Sequence, residues 1–169
     1  MKKLLDLDIK DYQKQDHIIK RIAVRAIIYE KPFLYMIQSK KYQEYKFPGG
    51  GQNTGETLIE TLKREVLEEA GIILDDDVVA YGYVDEKRKA MIEKDSIFHM
   101  TSYYYICKIK TLTDYRHLDA YEKIYGYELK KIHIDDAIKQ NQKLILIDNT
   151  QFSWVFRELE ILKMIKNEF

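Results

Sequence analysis

The stretch PGGGQNTGETLIETLKREVLEEAGI, residues 48–72, decides how the chain is read. It changes character at Thr57. Ahead of it, Gly49-Gly50-Gly51 and Thr54-Gly55 are too permissive for a regular element. Behind it the residues predict a helix over 58–70. Thr57 followed three residues later by Glu60 makes a capping box, and Gly71 stands where a left-handed residue ends a helix. At about 100° per residue, Glu68 lies about −60° and Glu69 about +40° from Glu65, so three carboxylates share one sector. Ile59, Leu62, Val66 and Ala70 form the adjoining core-facing stripe. Like charges at this spacing cost a few tenths of a kcal/mol per pair. A divalent cation such as Mg²⁺ turns that repulsion into coordination. Taken alone, the carboxylates also describe a solvated acidic face.

Outward from this segment the chain is plain. It has 169 residues, expected as a single domain over 1–169. Seven glycines and two prolines are fewer than average usage predicts, and five of the seven glycines fall within residues 49–71. Lys plus Arg and Asp plus Glu both number 28, so no basic field exists to hold extended nucleic acid. Cys107 is the one cysteine, which excludes an internal disulfide and suits a reducing, cytoplasmic setting. Its apolar surroundings (Tyr103 to Ile106) point to a small buried hydrophobe. No run approaches the length of a membrane span.

Strands are expected over 18–29, 33–38, 78–85, 98–110 and 127–134. In the first, Ile22, Val24, Ala26 and Ile28 alternate with Arg21, Ala23, Arg25, Ile27 and Tyr29. Residues 86–89 and 93–95 read as a charged, mobile connection. A short helix is expected over 135–141, and a C-terminal one over 152–166 carrying Phe152, Val155, Leu159 and Leu162. Ile161, Ile165 and Phe169 widen that last apolar face and suggest a homodimer contact. The alternation of elements gives an α/β class with a mixed sheet between helices.

Gly50, Glu56, Arg64, Glu65, Val66, Glu68, Glu69, Gly71 and Ile72 together stand in the pattern G-x5-E-x7-R-E-U-x-E-E-x-G-U, where U is aliphatic. This is the Nudix box, complete at every defined position, and the chain resembles the Nudix (MutT-like) hydrolase family. The resemblance implies an α/β/α sandwich and Mg²⁺-dependent hydrolysis of a diphosphate linkage in a nucleoside diphosphate or triphosphate derivative, with Mn²⁺ as a substitute. It implies that Glu65, Glu68 and Glu69 hold the metal, with a carbonyl of Gly49 or Gly50 as a further ligand. Glu56 and Arg64 resemble the pair that fixes the loop against the helix.

A general base outside the box is common in that family. Glu122, in the loop before the strand at Tyr127, is the first choice; Glu86, Glu93 or a box carboxylate are the alternatives. Arg25 and Lys46 are candidate phosphate contacts beside Gly49 and Gly50, and Tyr45, Phe47 or Tyr83 candidate stacking partners. Strand-face charge and ordinary core describe these residues equally. Subfamily marks associated with ADP-ribose and diadenosine polyphosphate hydrolases are not seen: Arg88, Lys89 and Ala90 stand where the tyrosine of the latter falls. This moves weight toward a nucleoside triphosphate or general nucleoside diphosphate derivative. The alternative is a catalytically inactive nucleotide-binding Nudix module.

Overall fold

A computed structural model describes residues 1–147 and 153–169; Phe152 lies outside the described residues. In chain order the elements are β1 (Lys3–Asp8), β2 (His17–Ile27), β3 (Tyr29–Glu30), β4 (Phe33–Ser39), β5 (Tyr45–Lys46), α1 (Leu58–Ala70), β6 (Ile72–Leu74) and β7 (Val79–Lys89). They continue as β8 (Ser96–Ile106), β9 (Ile109–Leu112), α2 (Ala120–Tyr125), β10 (Tyr127–His133), α3 (Ile134–Ile147) and α4 (Ser153–Glu168). One mixed sheet runs β1-β7-β8-β2, with β1 parallel to β7, β7 antiparallel to β8 and β8 parallel to β2. A second sheet runs β10-β4-β3, with β5 against β4, and β6 pairs with β9.

The strands form the middle layer because their two faces feed different cores. Val24, Ala26 and Ile28 pack with Leu62, Val66 and Ala70 of α1. Ile27 packs with Ala137 of α3 and with Ile161, Leu162 and Ile165 of α4. β4 divides likewise, Ile37 to the first cluster and Leu34 and Met36 to the second. A strand buried on both faces reads as a nearly unbroken apolar run, as residues 22–28 do apart from Arg25. This is an α/β architecture of helices on both sides of mixed sheet.

Helix α1 has the expected bounds and both expected caps: Thr57 and Glu60 form the capping box, and Gly71 is left-handed at φ 68°. Of the stripe on α1, Leu62, Val66 and Ala70 are buried, whereas Ile59 is exposed. Other expectations are corrected. Residues 86–89 are not a mobile connection; they extend β7, whose partners in β8 run down to Ile97. The strand expected over 98–110 breaks after Ile106, and β9 turns to β6 instead. Helix α3 runs to Ile147, well beyond 141. Of the residues that suggested a dimer contact, Ile161 and Ile165 of α4 are fully buried within the monomer and Phe169 is exposed. Strand β1 had no expectation; it is held by β7 across more than 70 residues of chain, with Leu4 filling the space a β-carbon at Gly82 would need.

A buried ionic network joins α4 to the strands. Arg157 donates from Nη1 to Glu86 Oε2 at 2.9 Å and from Nη2 to Glu158 Oε1 at 2.8 Å. Tyr104 Oη donates to the same Glu158 oxygen at 3.2 Å, and Glu158 Oε2 accepts the Phe47 amide at 3.0 Å. Removing one partner of such a set strands the others in low dielectric. Arg157→Ala is therefore expected to cost about 3–5 kcal/mol, read by urea unfolding; a loss below about 1 kcal/mol, the worth of an exposed ion pair, contradicts it. Cys107 is buried, and burial alone pushes its thiol up to about 12. At pH 8 its labelling by an alkylating reagent is expected to run on the order of 10³-fold slower in the folded protein than in urea, in proportion to its thiolate fraction.

Candidate active site

The glycine segment runs beside β2 as an irregular extra strand. The Val24 amide donates to the Gly50 carbonyl at 3.0 Å, Ala26 to Pro48 at 2.8 Å, and Gln52 to Ile22 at 3.0 Å. At three consecutive positions there a β-carbon would meet a close neighbour, backbone at the first and a side-chain end at the other two. At Gly49, with φ of 139°, it would overlap the Val24 carbonyl; at Gly50, the Glu65 carboxylate; at Gly51 it would lie 2.8 Å from Arg21 Nη2. Packed this tightly, the loop brings its backbone and the carboxylates of α1 into contact.

Arg64 is the hub of that contact. It forks onto Glu56, Nε to Oε1 at 2.6 Å and Nη2 to Oε2 at 2.8 Å, the geometry for which guanidinium and carboxylate are matched. Nη1 reaches Glu65 at 2.8 Å and Glu68 at 3.0 Å, and Nη2 the Gly51 carbonyl at 3.1 Å. Glu56 also accepts the Asn53 amide and the Thr61 hydroxyl. The Arg64 guanidinium holds the Glu56 carboxyl far below the usual range.

The three α1 carboxylates have unlike surroundings. Glu69 is buried: Oε2 accepts the Gly49 amide at 3.0 Å, and Oε1 lies 2.5 Å from Lys46 Nζ, which sits over the Tyr127 ring. Burial pushes the Glu65 carboxyl upward; Arg64 opposes this, and the charges of Glu69 and Glu68 add to it. Glu68 is the most exposed of the three.

Glu122 reaches the same place by another route. Residues 113–117 cover the C-terminal end of α1: the Thr113 amide donates to the Gly71 carbonyl, the His117 amide to Glu68, and Arg116 Nε to Glu69, each at 2.8 Å. The chain then enters α2. Glu122 lies on that helix, not in a loop, and Asp119 before it, with Gly126 left-handed after it, are helix signals present in the sequence. Its Oε2 accepts the Asp119 amide at 2.9 Å and its Oε1 the Tyr121 hydroxyl at 3.1 Å. Burial, then the charge of Glu69, push its carboxyl upward.

Glu65, Glu68, Glu69 and Glu122 line one cavity of about 370 Å³ together with Gly50, Gly51 and Arg21. A second cavity of about 320 Å³ shares Arg21, Gly50, Gly51 and Tyr121 with it. Arg25 and Lys46 line this second one, as do Arg88, Phe98 and Trp154, which sequence reasoning passed over. Arg25 donates from Nη1 to the Gly49 carbonyl. The remaining expectations separate. Phe47 is fully buried, edge-on to Tyr104 at 5.8 Å, because Glu158 holds its amide from the core side; its ring is not available to stack on a ligand. Glu86 is engaged by Arg157, and Glu93 is exposed and lines neither cavity. The Gly50 carbonyl accepts the Val24 amide, and the missing β-carbon of Gly50 leaves room for the Glu65 carboxylate.

The donor set fits a hard cation: carboxylates on one wall, one of them with its charge disfavoured by burial and by like neighbours. Among the described residues no three acidic, imidazole or thiol groups are gathered as a ready-made ion cage; Arg64 and Lys46 hold the carboxylates.

A family model for the NUDIX domain matches residues 19–138. The chain belongs to the NUDIX family. Among solved structures, a NUDIX hydrolase from Nitrosomonas europaea is 18% identical with a TM-score of 0.59, over 84% of this chain and 87% of that one. A MutT NUDIX hydrolase from Burkholderia pseudomallei is 21% identical with a TM-score of 0.49, over 69% of this chain and 85% of that one. Comparison with curated protein sequences gives no match. NUDIX hydrolases generally use divalent metal ions, and diphosphate hydrolysis is their general activity. No helix among the described residues is long and apolar enough to cross a membrane.

Gly49→Ala places a β-carbon on the β2 backbone, whereas at Gly55, with φ of 88°, nothing lies within reach. Both substitutions carry strain of about 1–3 kcal/mol from the positive φ; Gly49→Ala is expected to exceed Gly55→Ala in urea unfolding, and equal losses would contradict the packing described.

Proposed function

We propose that this NUDIX hydrolase cleaves the diphosphate linkage of a nucleoside triphosphate or other nucleoside diphosphate derivative, with Mg²⁺ held by Glu65, Glu68 and Glu69. The observation that carries the reading is the meeting of these three carboxylates with Glu122 in one cavity beside the glycine loop. A bound divalent cation supplies charge neutralisation of the diphosphate oxygens and acidification of water. Mn²⁺ suits the same oxygen ligands.

The chain's own residues do the rest. Arg64 keeps Glu65 and Glu68 side by side while its fork on Glu56 locks the loop; it is a positioning residue. Glu69 ties the same helix to the loop through the Gly49 amide. Glu122, which lines that cavity, takes the proton of the attacking water, whose oxygen bonds to phosphorus as the bridging P–O bond breaks and the departing phosphate carries away the electron pair. Its carboxyl, raised by burial and by Glu69, is the more basic for it. Arg25 and Lys46, at the second cavity, supply positive charge to substrate phosphates.

The experiment is phosphate release from a panel of nucleotides and nucleotide sugars with Mg²⁺, with Mn²⁺ and with EDTA. Glu68→Gln is expected to lower kcat about 100-fold or more, and Glu122→Gln about 10- to 1,000-fold. EDTA is expected to abolish turnover, with recovery on added metal. A kcat within threefold of wild type in Glu122→Gln removes that residue as base, and full activity in Glu68→Gln or EDTA removes the metal assignment. No turnover on any compound favours the binding module without catalysis.

A further inference from the structure

The cations around the cleft are nearly all engaged. Arg64 is held by three glutamates, Lys46 by Glu69, Arg157 by Glu86 and Glu158, and Arg25 by the Gly49 carbonyl. Arg88 stacks over the Phe98 ring at 4.6 Å and lies 3.5 Å from Glu86. Arg21 differs. Its guanidinium has no hydrogen-bond or ion-pair partner among the described residues, yet it lines both cavities.

Its position follows from the strand and the loop. Arg21, Ala23 and Arg25 alternate along β2 and share one face. In register, Arg21 stands beside Met100 of β8, and Met100 beside Glu86 of β7, so this row forms the floor of the second cavity. Above Arg21 the loop offers Gly51, and the guanidinium lies against the place its β-carbon would take, 2.8 Å from Nη2 and 3.2 Å from Nε. Gly51 has no positive φ. What glycine provides there is room for the guanidinium.

We propose that Arg21 is the anion clamp of the cleft: it binds the substrate phosphate that lies beyond the scissile bond, where the acidic cavity opens into the aromatic one. The carboxylate wall takes a phosphate only through a cation, whereas an unpaired guanidinium takes one directly, through paired N–H donors. Arg21 sits on the shared wall, so a phosphate on it lies between the metal-binding end and the aromatic residues that receive the organic moiety. This assignment rests on the proposed hydrolysis and adds the residue that reads the substrate's second phosphate.

Steady-state kinetics on the best substrate of the panel tests it, comparing Arg21→Ala, Arg21→Lys, Gly51→Ala and Arg21→Ala/Gly51→Ala. Arg21→Ala is expected to raise KM about tenfold or more with kcat within about threefold, the pattern of lost uniform binding. Lysine keeps the charge without the fork and is expected to fall between the two. Gly51→Ala displaces the guanidinium, so it should raise KM as well, and the double variant should be no worse than Arg21→Ala alone. Unchanged thermal melts exclude misfolding as the cause. A KM within twofold of wild type in Arg21→Ala overturns the assignment; so does a double variant whose loss is the product of the single losses, because Gly51 then acts through the loop. If no compound is hydrolysed, the proposed reaction fails by itself. Calorimetric binding of magnesium tripolyphosphate then decides the clamp: weakening of about tenfold in Arg21→Ala supports it, and equal affinity overturns it.

Discussion

The absence of room for a β-carbon at Gly49, Gly50 and Gly51 is the constraint from which the site follows. Each position is closed by a different neighbour: the backbone of β2, the Glu65 carboxylate and the Arg21 guanidinium. The loop is therefore packed between a strand and a helix. A β-carbon at Gly49 would press on the backbone of β2, and one at Gly50 or Gly51 would displace the Glu65 carboxylate or the Arg21 guanidinium from the place it takes against the loop.

Charge then fixes what packing brings together. Without a cation, Glu65, Glu68 and Glu69 would repel, and Arg64 and Lys46 answer that from either side. Arg64 is itself anchored by Glu56, so the loop and helix share one guanidinium. On the far side, Glu158 of α4 holds the Phe47 amide through the buried network with Arg157, Glu86 and Tyr104. The segment that carries the glycines is thus gripped by a helix on each face of the sheets. Such preorganisation suits electrostatic catalysis, in which the groups must already be aimed when charge develops.

What the sequence disclosed was local. Helix α1 could be placed at both ends because Thr57, Glu60 and Gly71 act within a turn of the termini they cap. The clustering of Glu65, Glu68 and Glu69 followed from helical geometry, and the pairing of Arg64 with Glu56 from the motif. What stayed hidden depended on distant partners. Residues 86–89 resemble a solvated loop until Arg157 neutralises Glu86 and Phe98 receives Arg88. Phe47 looks available for stacking until its amide is seen to donate to Glu158 of α4, more than a hundred residues on, with the ring turned inward. On α4 the helical spacing gathers apolar residues without telling which of them β2 and β4 bury: Ile161, Leu162 and Ile165 go inside, whereas Phe169, just past the helix, stays exposed. Arg21 was visible as a strand residue, but nothing local distinguishes an arginine aimed at a cleft from one facing solvent.

The cover over the end of α1 bears on how such a site can change. Glu122 comes to the cavity because residues 113–117 are fastened to the last carbonyls of a helix that belongs to the motif. The carboxylate wall and the glycines form one cassette, and Glu122 is attached to it by a separate strap of contacts onto main-chain carbonyls. An insertion or deletion between residues 117 and 122 would move Glu122 without disturbing the glycines or the three carboxylates. Evolution has here a means of exchanging the residue that faces the carboxylates while the cassette stays untouched.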